Sequence, residues 1–132
     1  MKEIDFLIKP IGVVESPIID RLDAPSQGEE GAPDAWIKLN KNILEGLDGI
    51  HVGDKVIVIT WFHQSKRDVL KLHPRWDKSN PLTGVFATRS PDRPNPVGIH
   101  PVKILKIERD KIKVSNLEAI HGTPVIDIKP VI

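Results

Sequence analysis

The sequence predicts a mainly β protein, built as a small closed or partly closed β-barrel with long loops and at most a short helix. Three observations carry this. KVIVITWFH at 55–63 is a nearly unbroken run of β-branched and aromatic residues, which reads as a strand buried on both faces. Further Val- and Ile-rich runs follow without the spacing of βαβ units. With six or so strands in 132 residues, closure is favoured because it removes exposed sheet edges.

Taken in order, FLIKPIGVVES at 6–16 reads as extended chain, and Pro10 within it marks a bend or an edge. KNILEGLDGI at 41–50 is the only short helical pattern, limited by Gly46 and Gly49. After 55–63 come strands at 84–89, 97–108, 111–118 and 124–132, and Arg109-Asp110 links two of them as a hairpin. The segments 20–35 and 64–83 read as long loops, a length that suits function or mobility. Length and a single set of strands predict one domain over 1–132.

Composition narrows the function classes. No cysteine is present, so there is no disulfide framework and no thiolate zinc site. The start, MKEIDFLIKP, lacks the apolar core and cleavage site of a secretory leader, and no run approaches the length of a membrane span, so a cytoplasmic protein is expected. Five histidines show no HxxxH or HxH spacing, and no metal is expected. Net charge is +1, yet residues 1–60 hold 6 Lys and Arg against 11 Asp and Glu, while residues 61–132 hold 13 against 7. The second half could offer a basic face to a polyanion.

That half contains the most unusual stretch, GVFATRSPDRPNPVGIHP at 84–101, with four prolines among Arg89, Asp92, Arg93 and Asn95. Proline fixes its own φ and extends the residue before it, so such a loop holds polar side chains in set directions at low entropic cost. His63 and Gln64 end the apolar strand, where a polar pair can sit at the rim of a core. HGTPVIDIKP at 121–130 places Asp127 and Lys129 on one face of the last strand. There is no GxGxxG, P-loop or GxSxG, which removes Rossmann enzymes, Walker NTPases and α/β-hydrolases.

Together, IGVVESP (11–17), WFHQS (61–65), GVFATRSPDRPNPVGI (84–99) and GTPVIDIKP (122–130) resemble the TsaA-like family, in a short single-domain form. Its characterised members, usually called TrmO or YaeB, are S-adenosylmethionine-dependent tRNA methyltransferases. The resemblance implies a homodimeric β-barrel enzyme with the cofactor near the subunit interface. It also implies a substrate, N6-threonylcarbamoyladenosine at position 37 of threonine tRNA, methylated on N6. By the same resemblance Pro25, Ser26, Gln27, His63, Gln64, Arg89, His100, Ser115, Asn116, Leu117 and Glu118 fall on cofactor positions. Arg93, Asn95 and Pro96, with Asp127 and Lys129, fall on the substrate side, and Glu118 or His63 is the candidate acceptor of the N6 proton.

The chain departs from the family pattern at Ser26, where an arginine is usual, and at Glu118, where Asp is commoner. His121 replaces an Asp before GTP, and Val131 replaces a Tyr after IKP. Bacterial members continue beyond the equivalent of Ile132, so tRNA contacts here are expected to be fewer or supplied by the dimer. The alternative from another class is a non-catalytic RNA- or nucleotide-binding barrel that binds S-adenosylmethionine without turnover.

Overall fold

The computed structural model describes residues 3–25 and 28–132. Its strands, in chain order, are β1 (Gly12–Glu15), β2 (Ala35–Leu39), β3 (Lys55–Trp61), β4 (Lys71–Leu72), β5 (Thr83–Gly84), β6 (Val97–Ile107), β7 (Lys111–Val114) and β8 (Pro124–Pro130). Six of them form a closed antiparallel ring in the order β1-β2-β7-β6-β3-β8, with β8 pairing back onto β1. The barrel expected from the sequence is therefore present.

Side-chain alternation explains why these segments form a ring. On β3, Val56, Val58 and Thr60 point inward and are buried, while Ile57, Ile59 and Trp61 face outward and are half-buried. On β6 the inward set is Gly98, His100, Val102 and Ile104. Val14, Ile37, Ile104, Ile112, Val114, Leu117 and Val125 fill the interior at full burial, each contributing about 1.5–3 kcal/mol of transfer free energy. The expectation that β3 is buried on both faces is corrected, because only one face of a barrel strand meets the core.

Other segments differ from the sequence reading for local reasons. Residues 84–89 are not a strand. Thr83–Gly84 pairs with Lys71–Leu72, and Val85–Ala87 then turns as a 3₁₀ segment that buries Val85 and leaves Phe86 81% exposed. Lys41–Leu47 is also 3₁₀ rather than α, with Ile43 N–H donating to the Asn40 carbonyl and Asp48 N–H to that of Glu45. The strand expected over 111–118 stops at Val114, since Asn116 takes a left-handed φ of 44°. Strand β2 was not foreseen, although Ala35, Ile37 and Leu39 alternate with Trp36 and Lys38.

Candidate active site

Three side chains meet inside the ring. Thr60 and His100 lie on neighbouring strands, Thr60 opposite Gly98 and His100 opposite Val58, so both project inward from adjacent inward-facing positions. Thr60 Oγ1 is 2.7 Å from His100 Nε2, and His100 Nδ1 is 2.6 Å from Glu118 Oε1. Thr60 and His100 are fully buried, whereas the Glu118 side chain keeps 12% of its surface. The Phe62 ring meets the imidazole edge-on, with centroids 5.7 Å apart.

This packing depends on Gly98. A Cβ there would stand 2.5 Å from the Phe62 ring and 2.6 Å from Thr60 Oγ1, so any side chain would displace both. Gly28 plays a similar part on the other flank. A Cβ on it would lie 2.2 Å from the Asn116 carbonyl oxygen and 3.0 Å from Glu118 Oε2, which puts the backbone following Ser26 and Gln27 directly against the Glu118 carboxylate. The segment carrying Glu118 is pinned by backbone bonds, with Leu117 N–H donating to the Pro33 carbonyl and Asn116 N–H to Asp34 Oδ1 at 3.2 Å. Ser115 Oγ accepts from Lys103 N–H at 2.9 Å.

The proline loop is tied down by its own polar side chains. Arg93 donates to the carbonyls of Thr88, Ser90 and Val85 at 2.9, 3.1 and 2.9 Å, so its guanidinium serves as an internal strut. Asp92, only 7% exposed, accepts at both oxygens from Arg21 Nη2, each at 3.1 Å, and a third bond from Lys66 N–H at 2.9 Å. Arg21 also donates to the Gln64 carbonyl at 3.2 Å, which anchors the loop to the end of β3. Arg67 reaches the Pro94 carbonyl and Asn95 Oδ1 at 2.7 and 3.0 Å and covers the Trp61 ring at 5.2 Å.

Among the residues singled out from the sequence, the structure brings together His100, Glu118 and the stretch Ser115–Leu117 beside Gly28. Pro25 is half-buried, and Ser26 and Gln27 lie outside the described residues. His63 and Gln64 are exposed just past β3. Arg89 is exposed at the entrance of the proline loop, and no hydrogen bond or ion pair joins it to another described residue. Asn95 is exposed, Pro96 is buried, and the Pro96 carbonyl accepts from Phe62 N–H at 2.8 Å. Asp127 and Lys129 stand on the outer face of β8, and Asp127 Oδ1 accepts from Ile128 N–H. No described contact links them to the buried triad.

Sequence reasoning missed Thr60, Gly98 and the Arg21–Asp92 pair. Thr60 had a signal, being a polar residue at an inward position of an apolar strand. Arg21 had none, because 71 residues separate it from Asp92. Arg75 and Trp76, in the long loop, take successive left-handed φ values of 58° and 61°, and Arg75 pairs with Glu30 at 2.9 Å. The side-chain hydrogen bond from Ser79 holds the Asp77 carboxyl below its ordinary pKa.

Around the Gly28 backbone the site offers Glu118 Oε2, without a partner among the described residues, and the carbonyl of the left-handed Asn116. Among the described residues no cluster of three or more His, Cys, Asp or Glu could hold a metal ion. No helix of the described residues is long and apolar enough to cross a membrane.

The fold is a six-stranded antiparallel barrel with a buried Thr60–His100–Glu118 line. Residues 13–132 match the tRNA-methyltransferase O N-terminal domain, and the chain belongs to that family. It is 47% identical over 128 residues to a probable S-adenosyl-L-methionine-binding protein of Methanocaldococcus jannaschii, covering 94% of this chain and 90% of that one. It is 42% identical to an S-adenosyl-L-methionine-binding protein of Archaeoglobus fulgidus over 93% of this chain and 87% of the relative. The crystal structure of TrmO from Pseudomonas aeruginosa superposes with a TM-score of 0.78 at 28% identity, over 98% of this chain. The chain spans 57% of that TrmO chain.

Proposed function

We propose that this protein is an S-adenosylmethionine-dependent tRNA methyltransferase that places a methyl group on N6 of N6-threonylcarbamoyladenosine at position 37 of threonine tRNA. The observation that carries the reading is the Glu118 carboxylate, held by a buried histidine against the glycine backbone next to the Pro25–Gln27 segment. The family membership supports methyl transfer and tRNA as the partner. The relatives named for S-adenosyl-L-methionine support the cofactor.

The residues present suit that cofactor in kind. Glu118 Oε2 and the exposed Asn116 can accept from hydroxyl or ammonium groups, and Arg89 can pair with a carboxylate. His63 and Gln64 add donors and acceptors at the end of β3. When bound, S-adenosylmethionine supplies an electrophilic methyl on a sulfonium. The protein's own task is then alignment and exclusion of water, which a proline loop braced by Arg93, Arg21 and Asp92 is built to serve. Glu118, rather than the exposed His63, is the group to receive the N6 proton, because its carboxylate is already oriented. The proton lost from the ureido nitrogen is labile, so a positioned carboxylate is sufficient.

The site is completed by a second copy of the chain. Ile57, Ile59 and Trp61 on β3 stand opposite Pro101, Ile99 and Val97 on β6, forming an apolar outer face unusual for a solvated barrel wall. A homodimer that covers this face accounts for the apolar run that first read as a strand buried on both sides.

The test is tritium transfer from labelled S-adenosylmethionine into tRNA, followed by mass spectrometry of the nucleosides. Label in N6-methylated threonylcarbamoyladenosine is expected. Tight cofactor binding with no label in any tRNA would instead favour a binding protein without turnover, as the names of the archaeal relatives allow.

A further inference from the structure

We propose that Thr60 and His100 are positioning residues, a buried relay that holds Glu118 Oε1 as a hydrogen-bond acceptor and so turns Oε2 toward Gly28. The proposal rests on the functional reading above for what Glu118 does, but its geometry is independent of that reading. Thr60 Oγ1, His100 Nε2, His100 Nδ1 and Glu118 Oε1 form one continuous hydrogen-bonded line at 2.7 and 2.6 Å. Its inner two residues are shut away from water.

The direction of the line follows from counting donors. The Thr60 hydroxyl is buried and has no second hydrogen-bond partner among the described residues, so its proton is satisfied only by donation to His100 Nε2. That leaves Nε2 without a proton. The ring proton then sits on Nδ1 and is donated to Glu118 Oε1, which accepts it. The opposite assignment, with a proton on Glu118 and another on Nε2, strands the threonine proton in a dry interior. Glu118 Oε2 is left facing Gly28, without a partner among the described residues. Phe62 meets the imidazole edge-on, and the bare Gly98 leaves room for the Phe62 ring and the Thr60 hydroxyl. An aspartate at position 118 would be one methylene shorter, so the histidine and the longer carboxylate form a matched pair.

Long-range proton–nitrogen correlation of the His100 ring in the ¹⁵N-labelled full chain tests the relay without any need for activity. The expected spectrum shows a protonated Nδ1 and a bare Nε2, and the Nε2 shift of a nitrogen that accepts a hydrogen bond is kept in Thr60→Ser and lost in Thr60→Val. S-adenosylmethionine affinity, measured by calorimetry, should fall about tenfold in Thr60→Val and stay within about twofold of wild type in Thr60→Ser, as loss and retention of one bond to a buried charged network would give. A wild-type ring carrying its proton on Nε2 would overturn the proposal, as would a Thr60→Val protein with unchanged ring signals and affinity. Should Thr60→Val fail to fold, the wild-type and Thr60→Ser spectra decide alone. Failure of the wild type to bind S-adenosylmethionine at all would sink the functional reading, while the ring spectrum would still decide the relay.

Discussion

Two arginines a few positions apart show how similar residues on one loop take opposite duties. Arg93 is consumed by three carbonyls of its own loop, whereas Arg89 is exposed and without a partner among the described residues. Arg89→Ala is accordingly expected to weaken cofactor or tRNA binding by about tenfold to hundredfold with an unchanged melting temperature, since a lost charge-assisted contact is on that scale. Arg93→Ala should lower the melting temperature first. Glycine gives a second residue-scale contrast. Gly98→Ala places a methyl inside contact distance of Phe62 and Thr60, and should cost about 1–3 kcal/mol in chemical denaturation through overpacking. Gly46→Ala, with open space around its Cβ position and no left-handed φ, is the control and should be neutral or stabilising by about 0.4–1 kcal/mol.

At the scale of the element, the 64–96 loop system is a braced unit rather than a slack connector. Arg67 and Arg75, two cations of the basic second half, are engaged by Pro94, Asn95, Trp61 and Glu30. Lys71 and Lys78 are exposed cations without such partners among the described residues. Reversing both, Lys71→Glu with Lys78→Glu, should weaken tRNA binding and flatten its salt dependence while leaving cofactor affinity alone, as read by filter binding across a salt titration. The sequence made this loop visible because prolines are local signals. The partner that braces it from outside was invisible, because Arg21–Asp92 is a contact across the fold. Strands β3, β6 and β8 were legible from long Val and Ile runs, and β2 was overlooked because five residues leave little pattern to see. The GVF apolar run misled, since Phe86 points to solvent and only Val85 enters the core.

The whole molecule presents one surface whose composition does not match that of a solvated wall. If the β3–β6 outer face is covered by a second copy, Ile99→Lys should convert a dimer to a monomer in sedimentation while the barrel stays folded, because Ile99 points away from the core. Loss of transfer activity in that monomer would show that the site is shared. The ring order carries a consequence for how the chain is made. β8 is the stave between β1 and β3, so both remain open edges until residues 124–130 have left the ribosome. Synthesis from the N-terminus thus yields first an incomplete cylinder with two sticky margins, and a nascent chain halted before Pro124 should be captured by chaperones or precipitate rather than acquire protease resistance. Emergence of the seven-residue β8, not any earlier step, is the moment at which this barrel loses its open margins.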